Sequence, residues 1–117
     1  MLMARVKVDT LYGTLGLLIL QVLSRDSLHG LEIQRRIQAA TDKSVTVEGG
    51  ALYPALHRLE KDGYLEADWG TSPKGRRAKY YRLTPDGRKH LTEKTESWLA
   101  HARAVFRLLE VSPDWAR

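Results

Sequence analysis

Residues 48–83 change hydrophobic period from helical to alternating, with a glycine at the junction and a cationic loop beyond it. Few folds accept that order. Leu52, Ala55, Leu56 and Leu59 recur at helical spacing, which predicts a helix over 50–62 with one apolar stripe. The opposite side, at about 100° per residue, carries Gly50, Pro54, His57 and Lys61, flanked by Tyr53 and Arg58. Pro54 is expected in the first turn, where its missing N–H costs least. Gly63 suits a left-handed helix end. Leu65, Ala67 and Trp69 then alternate with Glu66 and Asp68, predicting a strand over 64–69. Residues 70–76 are turn formers and basic, the tip of a hairpin. A return strand over 77–83 puts Tyr81 and Leu83 on one face and Ala78, Tyr80 and Arg82 on the other.

Charge is concentrated in the same region. Seven cations between Lys74 and Lys89 are opposed by Asp86 alone, a net +6, which leaves −1 for the rest of a chain whose total is +5. Such a patch is the footprint of a polyanion partner, although a solvated charged face is the plain alternative. The helix face opposite the apolar stripe holds glycine, an aromatic, a histidine and cations, a surface able to press into a DNA groove. Helix, glycine stop and basic hairpin in that order form the layout of a winged helix, a helix-turn-helix variant. The expected fold is therefore mainly α with a small β-hairpin wing. A winged helix-turn-helix over 1–83 is followed by a C-terminal dimerisation helix and tail over 84–117.

The rest of the chain fits around that unit. Residues 1–9 lack periodicity and read as an arm or as a segment that folds back on a partner. A helix over 10–25 is apolar almost all round (Leu15, Leu17, Leu18, Ile19, Leu20, Val22, Leu23), which argues for burial on more than one side. Gly13 and Gly16 sit near its start. Residues 24–27 read as a turn, and a second helix over 30–40 has Ile33, Ile37 and Ala40 on its inner face. His29, just before it, reads as a turn or capping residue. A loop over 41–44 leads to a very short strand at 45–47. Thr84-Pro85-Asp86 starts the last helix with a capping hydroxyl, proline at the first position and a carboxylate by the positive dipole end. That helix runs to about 109. Leu91, Thr95, Trp98, Ala102, Val105 and Leu109 form a coiled-coil-like seam along it. Leu99, Phe106 and Leu108 widen the stripe beyond what one neighbouring helix covers, which points to a second protomer. Pro113 ends the order; Trp115 has no assignment.

Other chemistry finds little support. The absence of cysteine excludes disulfides, thiolate metal sites and a cysteine nucleophile. His29, His57, His90 and His101 show no paired-ligand spacing, and Gly13-Thr14-Leu15-Gly16 lacks the lysine and serine of a phosphate loop. No metal, cofactor or enzyme activity is expected. Arg5 and Lys7 ahead of residues 15–23 superficially resemble a secretory signal, but Asp9 intervenes, no cleavage site follows and the run is too short to span a bilayer. A buried helix in a cytoplasmic protein is the expectation, with no membrane partner.

Four stretches together resemble one family. They are Gly13-Thr14-Leu15, His29-Gly30 before Glu32-Ile33, Glu48-Gly49 before Ala51-Leu52-Tyr53-Pro54-Ala55-Leu56, and Arg77-Ala78-Lys79-Tyr80-Tyr81-Arg82-Leu83-Thr84. In order and over roughly residues 10–110 they are similar to the PadR-type transcriptional regulators, in the short subfamily with a single C-terminal helix. The resemblance implies a homodimeric repressor on a double-stranded operator of roughly two-fold symmetry. Recognition-helix contacts would fall on Gly50, Ala51, Tyr53, Pro54, His57, Arg58 and Lys61, and wing contacts on Lys74, Arg76, Arg77 and Lys79. It also implies a dimer interface that includes Leu15, Leu18, Leu91, Trp98, Ala102, Val105 and Leu109. Glu96-Ser97-Trp98 is similar to the motif on which some members stack a small aromatic or multidrug-like effector, though a tryptophan on this seam equally suits packing. A winged helix that meets an acidic protein through its basic wing is the alternative.

Overall fold

The computed structural model describes residues 6–7 and 14–112, so the expectations for the remaining N-terminal residues, Gly13, Pro113 and Trp115 lie outside the described residues. The elements in chain order are β1 (Val6–Lys7), α1 (Leu15–Val22), β2 (Leu28–His29), α2 (Gly30–Ala40), β3 (Val45–Thr46), α3 (Gly49–Lys61), β4 (Leu65–Thr71), β5 (Arg77–Leu83) and α4 (Pro85–Leu109). β1 pairs in parallel with β3, and β2, β5 and β4 make an antiparallel three-stranded sheet with β5 in the centre.

The core is one cluster drawn from every helix between α1 and α3 and from the hairpin. Ile19 and Leu20 of α1, Ile33 and Ile37 of α2, and Leu52, Ala55, Leu56 and Leu59 of α3 meet Leu65, Tyr81 and Leu83 of the hairpin. All are buried, at roughly 1.5–3 kcal/mol for each large aliphatic side chain. The predicted stripe of α3 is thus the face that seats it. Ala40, expected on the inner face of α2, is exposed, because the last turn of that helix runs past the edge of the core.

Several boundaries differ from expectation for local reasons. α1 starts at Leu15 with Thr14 as its N-cap and ends at Val22, shorter than the apolar run suggests. Pro54 lies in the second turn of α3. The carbonyl that its missing N–H would have engaged belongs to Gly50, which is exposed, so water can serve it. β4 continues to Thr71, since Gly70 and Thr71 still pair with Ala78 and Arg77. The turn itself closes within residues 72–76: the Ser72 N–H donates to the Arg76 carbonyl at 2.7 Å, and Gly75 takes a φ of +78°. β1 and β2 carry no signal in the sequence, because two-residue strands have no room to show alternation.

A tight joint carries α4. The Thr84 N–H donates to the Tyr64 carbonyl at 3.1 Å, and the Thr84 hydroxyl donates to the Gly63 carbonyl at 2.6 Å. The same hydroxyl accepts from the Gly87 N–H at 3.0 Å, as its capping position requires. Gly87 is buried, and a Cβ there would lie 2.1 Å from the Tyr64 carbonyl oxygen. The Tyr64 ring stacks on His90 of α4 with centroids 3.8 Å apart and planes 4° from parallel, and the Arg88 guanidinium donates to the Ser24 carbonyl. Gly87→Ala is expected to lower the unfolding free energy by about 1–3 kcal/mol, the usual range for overpacking. Gly50→Ala, with open space around its Cβ, should be neutral or stabilising by up to about 1 kcal/mol. Urea unfolding of both variants at one protein concentration checks this, and a neutral Gly87→Ala would contradict the joint.

Candidate nucleic-acid interface

α3 owes its placement to the segment before it. His29 is the N-cap of α2: its Nδ1 accepts from the Glu32 N–H, and the Glu32 carboxylate accepts from the His29 N–H at 3.1 Å, a capping box. The His29 ring meets Tyr80 of β5 edge-on at 5.3 Å. Gln34 of α2 donates to the Val47 carbonyl at 2.8 Å, tying down the chain that leads into α3. Gly30 then sits directly beneath Tyr53. A Cβ on Gly30 would come within 2.7 Å of the Tyr53 hydroxyl, and one on Gly49 within 3.4 Å of the other side of the ring. The absence of a side chain at Gly30 therefore makes the slot that holds the Tyr53 ring, with Gly49 in ordinary contact distance on the other side, and the ring remains 47% exposed.

The outer face of α3 is as the helical spacing predicts. Gly50, Tyr53, Pro54, His57, Arg58 and Lys61 are exposed, whereas Ala51 is partly buried against the core. No acid interrupts that face. Glu60 lies beside it, with its carboxylate 2.9 Å from the Lys79 ammonium.

The hairpin sorts its charges by face. Its register sets Trp69 opposite Lys79 and Thr71 opposite Arg77, so these four share the side of Tyr81 and Leu83. Glu66, Asp68, Tyr80 and Arg82 share the other. There Arg82 bonds Glu66 at 3.1 Å and also Asp68, and these acids hold its guanidinium firmly protonated, the Asp68 hydrogen bond contributing most. On the α3 side Arg77 lies 4.5 Å over the Trp69 ring, a cation–π contact. Trp69 is 60% exposed because the hairpin here has run beyond the core. Lys74 and Arg76 at the tip are exposed, and among the described residues no carboxylate pairs with Lys74, Arg76 or Arg77.

Lys79, grouped with the wing contacts in the sequence, has a carboxylate and a ring as partners within the chain. It is partly buried, bonded to Glu60 and 5.3 Å over the Tyr81 ring. The Glu60 hydrogen bond raises its pKa above the ordinary 10.5. Burial pushes the Tyr81 phenol above its ordinary 10.0, with Lys79 working the other way. The sequence alone gives no sign of the Arg77–Trp69 stack or the Glu60–Lys79 pair, since a diagonal contact and a helix-to-strand contact need the exact register.

The second half of α4 exposes several large apolar side chains. Along α4, Trp98 is 40% exposed, Val105 39%, Leu108 82% and Leu109 61%, whereas Ala102 is buried. Leu15, Leu18 and Leu91 are partly covered by their own chain's core. A cleft of about 260 Å3 beside Trp98 is lined by Leu17, Lys94, Ser97 and His101. No helix among the described residues is long and apolar enough to cross a membrane, and those residues include no group of three potential metal ligands.

Residues 19–93 match the model of the transcriptional regulator PadR-like family. A transcriptional regulator from Clostridium thermocellum has a similar structure, with a TM-score of 0.77 at 33% identity, covering 85% of this chain and 96% of that one. A PadR-like transcriptional regulator from Bacillus cereus superposes with a TM-score of 0.73 at 29% identity, covering 89% of this chain and 99% of that one. The Escherichia coli transcriptional regulator YqjI is 30% identical over 101 residues, which are 85% of this chain but 42% of that protein.

Lys79 and Tyr81 both have raised pKa values, so each adds stability below its unfolded value that is lost as pH rises through and past the folded one. Urea midpoints are expected to stay level between about pH 7 and 9 and to fall above about pH 10. A midpoint unchanged at about pH 11 would contradict the burial of the Tyr81 phenol and the Glu60–Lys79 bond.

Proposed function

This chain belongs to the PadR-like family of DNA-binding transcriptional regulators, and from that premise we propose that it acts as a homodimeric repressor on a palindromic operator. One observation carries the reading: an acid-free outer face on α3 lies beside a hairpin whose free cations are on its tip and on its α3-facing side. Tyr53, Pro54, His57, Arg58 and Lys61, with Gly50 and Ala51 allowing close approach, would meet base edges and backbone in the major groove. Lys74, Arg76 and Arg77 would neutralise phosphates or enter the minor groove, fixing register. The pairing of protomers is supported by the open apolar surface of Trp98, Val105, Leu108 and Leu109 on α4, which a second copy would cover. In such a dimer the recognition helices should lie about 34 Å apart, one turn of DNA. Occupancy of an operator would exclude polymerase, which is the basis for repression.

Arg76→Ala is expected to weaken binding to every duplex and to reduce the salt dependence by about 0.9 in log–log slope for each phosphate no longer neutralised. Tyr53→Phe and His57→Ala should instead change which sequences are preferred. Gel-shift titrations over a range of salt, with duplexes selected from a random pool, separate the two effects. An unchanged slope in Arg76→Ala would remove the wing from the interface.

The cleft beside Trp98 supports an effector role. A flat aromatic ligand stacked there would alter the angle between protomers and hence the spacing of the two recognition helices, provided it binds the free and DNA-bound forms unequally. Aromatic ligands are expected to quench tryptophan fluorescence in the intact protein and to lose that effect in Trp98→Ala. Quenching that persists in the variant would move the effector elsewhere.

A further inference from the structure

Lys79 sits in the middle of the basic wing, yet its geometry gives it a different task from its neighbours. Its ammonium lies 2.9 Å from the Glu60 carboxylate, with 27% of the lysine and 33% of the glutamate side chain exposed. The same ammonium is 5.3 Å over the ring of Tyr81, which is itself buried in the core. A phosphate would compete with both partners for the Lys79 ammonium. Drawing the ammonium away would strand the Glu60 carboxylate at the end of α3, beside the polyanion, where like charges repel. Lys74, Arg76 and Arg77 face no such conflict.

The pair also occupies a decisive position. Glu60 is in the last turn of α3 and Lys79 is in β5, two residues nearer the hairpin tip than the core residue Tyr81. Beyond Lys79 the hairpin has no core beneath it, as the exposure of Trp69 shows. The Glu60–Lys79 pair is thus a link between wing and recognition helix where the supporting core gives out. We propose that Lys79 is a positioning residue: clasped to Glu60, it sets the angle of the wing to α3 so that both enter the DNA together, and it makes no phosphate contact. This rests on the DNA-binding reading above.

Glu60→Met gives the sharpest test, because the two roles for Lys79 predict opposite signs. If Lys79 served phosphates, removing a nearby anion would free it and tighten binding. The clasp predicts weaker binding, by up to about five-fold, the scale of one partly exposed ion pair. Lys79→Met should weaken binding similarly while leaving the salt slope as in the unaltered protein, whereas Arg76→Ala lowers that slope. Reversing the pair (Glu60→Lys with Lys79→Glu) should restore affinity relative to either single reversal. Tighter or unchanged binding by Glu60→Met, or a reduced slope in Lys79→Met, would overturn the proposal. Surface ion pairs add little to global stability, so these variants should remain folded, with circular dichroism as the control. Hydrogen–deuterium exchange of the amides in residues 69–79 tests the clasp without DNA. Faster exchange is expected in Glu60→Met, and unchanged exchange would overturn the clasp even if no duplex were bound. Failure of the unaltered protein to bind DNA would overturn the functional reading alone.

Discussion

The meeting point of α3, β4 and α4 is the constraint on which the molecule turns. Gly63 ends α3 in a left-handed conformation, and its carbonyl at once accepts from the Thr84 hydroxyl. The Tyr64 carbonyl accepts from the Thr84 N–H and leaves room for nothing larger than hydrogen at Gly87. Helix end, hairpin start and the first turn of the long helix are therefore locked together through backbone groups and the Thr84 hydroxyl. Backbone contacts of this kind are sensitive to sub-ångström shifts, because nothing flexible lies between the partners. The joint thus couples the direction of α4 to the end of α3.

Electrostatics and packing divide the labour on the wing. The face with Arg82, Glu66 and Asp68 sets one cation against two carboxylates, which leaves the tip and the α3-facing side as the source of positive potential. On that side the cations differ in kind. Arg77 is backed by the Trp69 ring and exposed, while Lys79 is already compensated by Glu60. Counting cations in the segment overstates the charge available to a partner, because placement decides which of them are free.

Much of this is legible in residue order. The stripe Leu52, Ala55, Leu56, Leu59 fixes which side of α3 is buried, and so which side is left exposed. Thr84-Pro85 marks the start of α4, and Arg77 to Leu83 marks β5, because capping chemistry and alternation are local signals. What escapes is non-local or very short. β2 exists only because Leu28 and His29 pair with Tyr81 and Tyr80 more than fifty residues on. The slot for Tyr53 depends on Gly30 from another helix, and the Glu60–Lys79 pair depends on the angle between helix and hairpin. Pro54 departs in the opposite sense: the rule for helix starts puts it in the first turn, but an exposed face tolerates the missing donor in the second.

The central claim is that α3 and the adjoining hairpin enter the duplex as one rigid unit, once from each of two protomers. Hydroxyl-radical footprinting on a duplex selected from random sequence tests this directly, since it maps protected sugars at single-nucleotide resolution. The account predicts two symmetric sets of protections centred about one helical turn apart, each extending from a major groove into the adjoining minor groove. A single asymmetric footprint, or protection confined to the minor groove with the major-groove face unprotected, would contradict it.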